Sequence, residues 1–183
     1  MAGLKTRRAR LPRRSSSGTA ILVAGFLAGA LDLVAAFALS ASRGGGPVQT
    51  LQGIATGLLG RSSYSYGNMS AALGLACHFS IALGAAATYV GASRRLTWLQ
   101  MHAISSGVLF GIVVYFFMQY VVLPLSAFPG RPASQLGTIA TGVLIHIFCV
   151  GLPIALITRH YSTPEPVDRR DGGSEDPPYS PTH

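Results

Sequence analysis

The stretch of sequence that decides the fold is TAILVAGFLAGALDLVAAFALSAS, residues Thr19–Ser42. It is a nearly unbroken apolar run, and about 20 apolar residues are enough for a helix to cross a bilayer. Continuous apolar runs lack the alternation of barrel strands, so the run predicts a transmembrane helix. The chain contains three more runs of this kind: Met69–Ala92, Ile104–Leu125 and Leu136–Thr158.

The composition supports a membrane protein, because 49% of the residues are hydrophobic and only 11% are charged. Soluble domains average about 25% charged residues. We therefore predict an all-α fold, a four-transmembrane-helix bundle over residues 19–160. Residues 1–18 are predicted to form a basic cytoplasmic arm and residues 161–183 a disordered cytoplasmic tail. In the first loop, the apolar segment Pro47–Gly60 is too short to span, which predicts an interfacial or re-entrant segment.

The basic residues predict the orientation in the membrane. Eleven of the fourteen fall in the N-terminal arm, the loop after the second run and the C-terminal segment, which four spans place on one side. The opposite side holds Arg43, Arg61 and Arg131. The positive-inside rule then puts both termini in the cytoplasm. Arginines beside a first span usually fix topology, so the expected partner is the lipid bilayer and no nucleic acid. The first run is also too long for a signal peptide, whose apolar core has about 7–15 residues.

Asp32 is the only acidic residue in the first 164 positions, and it lies inside the first apolar run. An ionisable group at that depth costs about 2.5–3.5 kcal/mol on insertion scales and is a candidate functional residue. Each of the other runs also carries polar groups near the middle of the membrane. The predicted intramembrane polar cluster is Asp32, His78, His146, Tyr115 and Gln119.

Glycines share the helical faces of these polar residues. Small residues spaced four apart mark places where membrane helices approach closely. We therefore expect a compact bundle in which Asp32, His78 and His146 point at one another. The predicted helix-packing residues are Gly25, Gly29, Gly74, Gly107, Gly111 and Gly142.

The chemistry of the cluster leaves alternatives open. A carboxylate and two imidazoles could hold or pass a proton, and they could also bind a divalent metal. The same residues could instead form only structural hydrogen bonds between helices. No dense ligand motif or phosphate-binding loop is present, so no metal site, cofactor or catalytic residue is predicted. Cys77 and Cys149 are expected to be neither a disulfide nor nucleophiles.

Three functions fit this pattern. The first is a transport-related or proton-responsive membrane protein that uses the Asp/His cluster. The alternative is a structural or accessory subunit whose glycine-rich helix faces bind another membrane protein or a second copy of the chain. The third is a metal-dependent membrane enzyme, although the first two hypotheses need no enzymatic activity.

Three segments carry a resemblance: GLACHFSIAL at 74–83, YVVLPLSAF at 120–128 and GVLIH at 142–146. In layout the chain resembles small four-helix bacterial membrane proteins and is similar to the YagU-like inner-membrane proteins. The likeness covers residues 20 to 160, whereas the IATGLLG segment of the first loop departs from the pattern. The resemblance implies a multi-pass protein of the bacterial cytoplasmic (inner) membrane. It implies no settled substrate and no catalytic residue.

Overall fold

The computed structural model describes residues 17–162, which form six helices, a short 3₁₀ helix at Gly60–Ser65 and no strand. The predicted arm and tail lie outside these residues, except for two residues at each boundary that extend the first and last helices. We number the helices α1 Ser17–Ala41, α2 Pro47–Leu59, α3 Gly67–Ser93, α4 Thr97–Met101, α5 Ala103–Leu125 and α6 Leu136–Ser162.

Four of these helices, α1, α3, α5 and α6, are long and apolar enough to cross a membrane. They contain 23 to 27 residues, and each begins within two residues of the predicted run. At a rise of about 1.5 Å per residue, each exceeds the bilayer core of about 30 Å. The all-α, four-transmembrane-helix prediction is therefore confirmed.

The four long helices alternate in direction, which gives the bundle two distinct ends. At one end, the backbone N–H of Ala127, just after α5, donates to the carbonyl oxygen of Gly57 in α2 at 2.9 Å. At the other end, the Arg94 guanidinium donates to the hydroxyl of Ser17, which joins the end of α3 to the start of α1. We call these the α2 end and the α4 end.

The α2 end is covered by the segment that the sequence predicted to be interfacial or re-entrant. It forms a single helix that runs from the end of α1 to the end of α5 and packs on the first turns of α3. The buried Gln52 amide donates to the carbonyl oxygen of Gly67 at 3.0 Å. Ser63 donates to the carbonyl oxygen of Gln52 at 2.7 Å. These bonds satisfy polar groups where α2 meets α3 and hold the two helices together.

In the bundle, α1 lies between α3 and α6, and α5 packs against α6. The half of the bundle toward the α4 end is closed by a core of small and apolar residues from all four long helices. Tyr89 is buried in this core and its hydroxyl hydrogen-bonds Ser106 Oγ at 2.7 Å, so the one large polar side chain there has a partner. Core members include Ala24, Ala28, Ala86, Tyr89, Ala103, Val150, Ile154 and Ala155.

Glycines set how closely the helices approach. A Cβ atom added to Gly111 would stand 2.6 Å from the carbonyl oxygen of His146, closer than real Cβ contacts. Five of the six predicted packing glycines have such a neighbour on another helix, closer than 3.0 Å, and Gly107 has tight contacts at 3.0 Å. Gly25 faces Leu83, Gly29 faces Phe79, Gly74 faces the Leu51 carbonyl, Gly107 faces the backbone of Gly151, Gly111 faces His146 and Gly142 faces the Tyr115 ring. Gly151, opposite Gly107, plays the same part and was not predicted.

Two prolines lie inside long helices, and each follows a widened π-helical turn. Proline lacks an N–H and its ring collides with the carbonyl four residues earlier. The π turn Met118–Val122 precedes Pro124, and the π turn His146–Gly151 precedes Pro153. These turns, which often occur at functional sites, allow α5 and α6 to continue past the prolines. Gln119 and His146 both lie in such turns.

Candidate functional site

Four residues of the predicted polar cluster, one from each long helix, lie at one level. Asp32 is nine residues before the end of α1, and His78 is eleven residues after the start of α3. Tyr115 and His146 are each ten residues from the α2 end of their helices. These intervals correspond to depths of about 14 to 16 Å. The four side chains therefore share a level close to the middle of a bilayer core of about 30 Å.

A cavity of about 380 Å³ lies at this level, between α1, α2, α3, α5 and α6. Asp32, His78 and His146 all line it. Most of its wall is apolar, formed by residues such as Ile54 and Ile81. Val150 belongs both to the cavity wall and to the buried core of the α4 half. The cavity therefore lies directly beside the closed core of the bundle, under the cover of α2.

A second cavity of about 260 Å³ adjoins the first. Asp32 and His146 line both cavities, whereas Tyr115 and Gln119 line only the second. Arg43, an exposed residue just beyond α1, also lines the second cavity. The predicted cluster is thus divided, with His78 on one side of Asp32 and His146, and Tyr115 with Gln119 on the other.

The carboxylate of Asp32 is partly exposed to the cavities. Among residues 17–162, no hydrogen bond or ion pair is formed by this carboxylate, and it acts on Cys149 only through its charge. An ionised carboxylate offers hydrogen-bond acceptors alone. In its ionised form, Asp32 contributes negative charge and unused acceptors to the site.

The two histidines have defined roles because each ring contacts a backbone carbonyl. His78 Nε2 lies 2.8 Å from the Gly29 oxygen, and His146 Nδ1 lies 2.9 Å from the Gly142 oxygen. A carbonyl oxygen only accepts, so these ring nitrogens carry the protons and donate. In the neutral rings, Nδ1 of His78 and Nε2 of His146 are then acceptors.

The hydroxyl groups that line the first cavity donate their protons to backbone carbonyl oxygens of their own segments. Thr50 Oγ1 donates to the Gly46 carbonyl at 3.0 Å, and Ser126 Oγ donates to the Leu123 carbonyl at 2.8 Å. The Thr50 oxygen keeps both lone pairs as acceptors. The Ser126 oxygen also accepts from the backbone N–H of Phe128 at 3.2 Å and keeps one lone pair. With Asp32 ionised and both imidazoles neutral, the polar side chains that line this cavity within the described chain all have free acceptors: Asp32, Thr50, His78, Ser126 and His146.

Tyr115 and Gln119 build one wall of the second cavity. The Gln119 amide donates to the Tyr115 hydroxyl at 3.3 Å, and the Tyr115 ring meets the His146 ring edge-on at 5.4 Å. Tyr115 is buried, and Gly142 provides the space for its ring. Together these contacts position the imidazole of His146 between the two cavities.

Asp32, His78 and His146, which were expected to point at one another, line the same cavity. Among residues 17–162, no hydrogen bond joins Asp32, His78 and His146, and no three His, Cys, Asp or Glu residues converge as a metal site would require. Both cysteines, Cys77 and Cys149, are free thiols.

Sequence reasoning missed the part of the site supplied by α2 and the loops, namely Thr50, Ser126 and Arg43. The pair Gly53 and Gly57 carried a usable signal, since small residues four apart mark a close helix contact. Both glycines line the first cavity.

No protein-family model, curated protein or solved structure matches this chain.

Proposed function

We propose that this chain is a proton-responsive membrane protein, related to transport, in which Asp32, His78 and His146 form the proton-binding core. The observation that carries the proposal is the first cavity, whose polar side chains are all acceptors near mid-membrane depth. Two acceptors cannot hydrogen-bond to each other unless a proton lies between them. One added proton supplies that link.

The expected response follows from hydrogen-bond chemistry. A protonated carboxyl group donates one O–H, and a protonated imidazole donates from both nitrogens. Either species can bridge two acceptors across the cavity, which would draw its walls together. Protonation of Asp32 also removes a charge that costs about 2.5–3.5 kcal/mol at this depth. The response can be followed in α2, because this helix lines the cavity and covers it from one side.

The test is hydrogen–deuterium exchange of the full chain in lipid nanodiscs between pH 5 and pH 8. We expect slower exchange in α2 at the lower pH, after correction for the intrinsic pH dependence of exchange. Asp32→Asn should insert normally and lose this difference, because an amide does not titrate. His102→Gln is the matched control, since His102 is exposed and stacks on Trp98 away from the cavities. A folded Asp32→Asn protein with the wild-type pH response would refute the proposal.

An accessory subunit is the alternative function. The predicted glycine faces contact the chain's own helices, so they do not support it. Its remaining support is the exposed face of α3, where Gly84 and Gly91 have no neighbour within 4 Å. Native mass spectrometry of the protein released from membranes separates the two functions. A lone monomer without a co-purifying protein would exclude the accessory role.

We further propose the cytoplasmic membrane of a bacterium as the location, with both termini inside. Support comes from the YagU-like layout and from the eleven basic residues assigned to one side of the membrane. Green fluorescent protein folds in the cytoplasm and not after export through the general secretion pathway. A fluorescent fusion at His183 would support this orientation, and a dark but inserted fusion would reverse it.

A further inference from the structure

We propose that the first cavity binds a small primary organic ammonium ion, with Asp32 as its counter-ion. This inference rests on the proposed function and names a ligand class for the same site. The supporting observation is that the polar side chains of the cavity offer hydrogen-bond acceptors, whereas a primary ammonium ion offers only hydrogen-bond donors.

The hydrogen-bond acceptors on the cavity wall determine which polar group of a ligand can bind there. A primary ammonium group has three N–H donors and no acceptor. The cavity offers acceptors on Asp32, His78 and His146 around one space, with the hydroxyl oxygens of Thr50 and Ser126 also on its wall. A carboxylate or phosphate ligand would bring more acceptors and would leave every one of these groups without a donor. The lining therefore selects against anions.

The charges of the surroundings favour a cation. The first cavity has one charged side chain, Asp32, and the described residues form no ion pair with it. The titratable groups that face Asp32 from the helices packed on α1 are His78, His146, Cys149 and Tyr115. Arg43 lies in the second cavity, eleven residues along the chain from Asp32. When the imidazoles are neutral, a bound cation would meet one carboxylate and no opposing positive charge on the wall of the first cavity.

The wall of the cavity selects an organic body for this cation. Ile54, Ile81, Val114 and Phe128 present hydrocarbon surface around the acceptors. The volume, about 380 Å³, falls within the range of about 300–1,000 Å³ typical of small-molecule sites. A bare inorganic ion would leave most of that surface uncovered. An alkyl chain attached to the ammonium group covers it and excludes water.

A proton and an ammonium ion compete for the same carboxylate. Protonation of Asp32 removes its charge, and protonation of either histidine adds a repelling charge. Both changes weaken ammonium binding. The apparent affinity for the ammonium ion should therefore fall as the pH falls, which links this ligand to the proton response.

The test uses the full-length protein in lipid nanodiscs and n-butylammonium chloride as the probe, titrated at pH 8 by ligand-observed NMR. Empty nanodiscs provide the blank. We expect saturable binding of butylammonium and weaker binding of n-butanol, n-butyrate and tetramethylammonium. Tetramethylammonium matters because it carries the charge without any N–H donor.

Asp32→Asn should lower the butylammonium affinity by about 10- to 100-fold, the usual effect of losing a hydrogen bond to a charged group. His102→Gln should leave the affinity unchanged.

Equal binding of butylammonium and butanol would overturn the proposal, and so would equal binding by wild type and Asp32→Asn. Tetramethylammonium binding as tight as butylammonium would overturn the donor argument. If Asp32→Asn fails to insert, the relative affinities of the wild-type protein for the four probes still test the proposal. The exchange experiment above contains no ligand. A pH response without butylammonium binding would therefore reject this inference and keep the proposed function.

Discussion

His78 on α3 donates a hydrogen bond of 2.8 Å to the carbonyl oxygen of Gly29 on α1, one helical turn before Asp32. This bond joins two long helices at the level of the cavity. It also fixes the ring's proton on Nε2, so that Nδ1 is an acceptor in the neutral form. One contact therefore has a structural part, which holds α1 against α3, and a chemical part, which sets what the cavity offers.

The structural part can be measured with His78→Phe. Phenylalanine keeps an aromatic ring beside Phe79, whose ring lies 5.6 Å from that of His78, but it has no N–H for Gly29. We expect the free energy of unfolding in mixed micelles to fall by about 0.6–1.5 kcal/mol, the range for one such bond. His102→Phe is the matched control, because it makes the same chemical change on an exposed ring stacked against Trp98. Equal stability losses in the two variants would show that the Gly29 bond adds nothing.

A second prediction concerns the contact between α2 and α3. A Cβ atom at Gly74 would collide with the backbone carbonyl of Leu51, and helical backbone has little freedom to move aside. We expect Gly74→Ala to destabilise the protein by about 1–3 kcal/mol, as overpacking does, and to speed exchange of α2 amides. Gly84→Ala, on the same helix, has open space around the new methyl group. It should not lower the free energy of unfolding of the monomer and should raise it by up to about 1 kcal/mol, because alanine favours a helix over glycine.

The contrast between these two glycines is sharp because both lie within α3. If Gly74→Ala matches wild type in stability and in exchange of α2, the close approach of Leu51 is wrong. If Gly84→Ala is as damaging as Gly74→Ala, glycine is needed in α3 for a reason other than packing against α2.

The long helices were predictable from sequence because each one is marked by an apolar run within its own residues. The apolar run that contains Asp32 predicted α1 to within two residues at its start. The depth of Asp32, His78 and His146 followed from counting along three helices. Their glycine-lined faces followed from spacing, since close packing needs small residues. Properties that depend on one helix at a time are therefore readable from the chain.

The cavity itself was not predictable, because it depends on how far apart the helices stand. The helical faces predicted only that Asp32 and His78 would point at one another. They did not predict that both would line a cavity, or that His78 would donate to the Gly29 carbonyl. The hydroxyl of Ser126 also reaches the site from a loop, and no helical periodicity extends there. Distances between helices and the course of loops are set by tertiary packing, which sequence spacing does not encode.

The last prediction concerns Arg43, which lines the second cavity together with Asp32. Eleven residues of mostly helical chain separate them, or about 16 Å along the axis. If the charges are separated by about the same distance as the backbones, the guanidinium repels a cation at Asp32 by about 0.3–1 kcal/mol, for effective dielectric constants of about 80 to 20. Arg43→Gln should therefore raise butylammonium affinity by about 1.5- to 5-fold at low ionic strength. The gain should shrink at 0.15 M salt, where the screening length is about 8 Å.

Arg43→Lys provides the control, because it keeps the charge and should keep the wild-type affinity at every salt concentration. The measurement is the same NMR titration at two salt concentrations. A gain in Arg43→Lys as large as in Arg43→Gln would show that Arg43 acts through its shape. A fall in affinity in Arg43→Gln would mean that the guanidinium helps the ligand to bind, and the electrostatic account of the second cavity would be wrong.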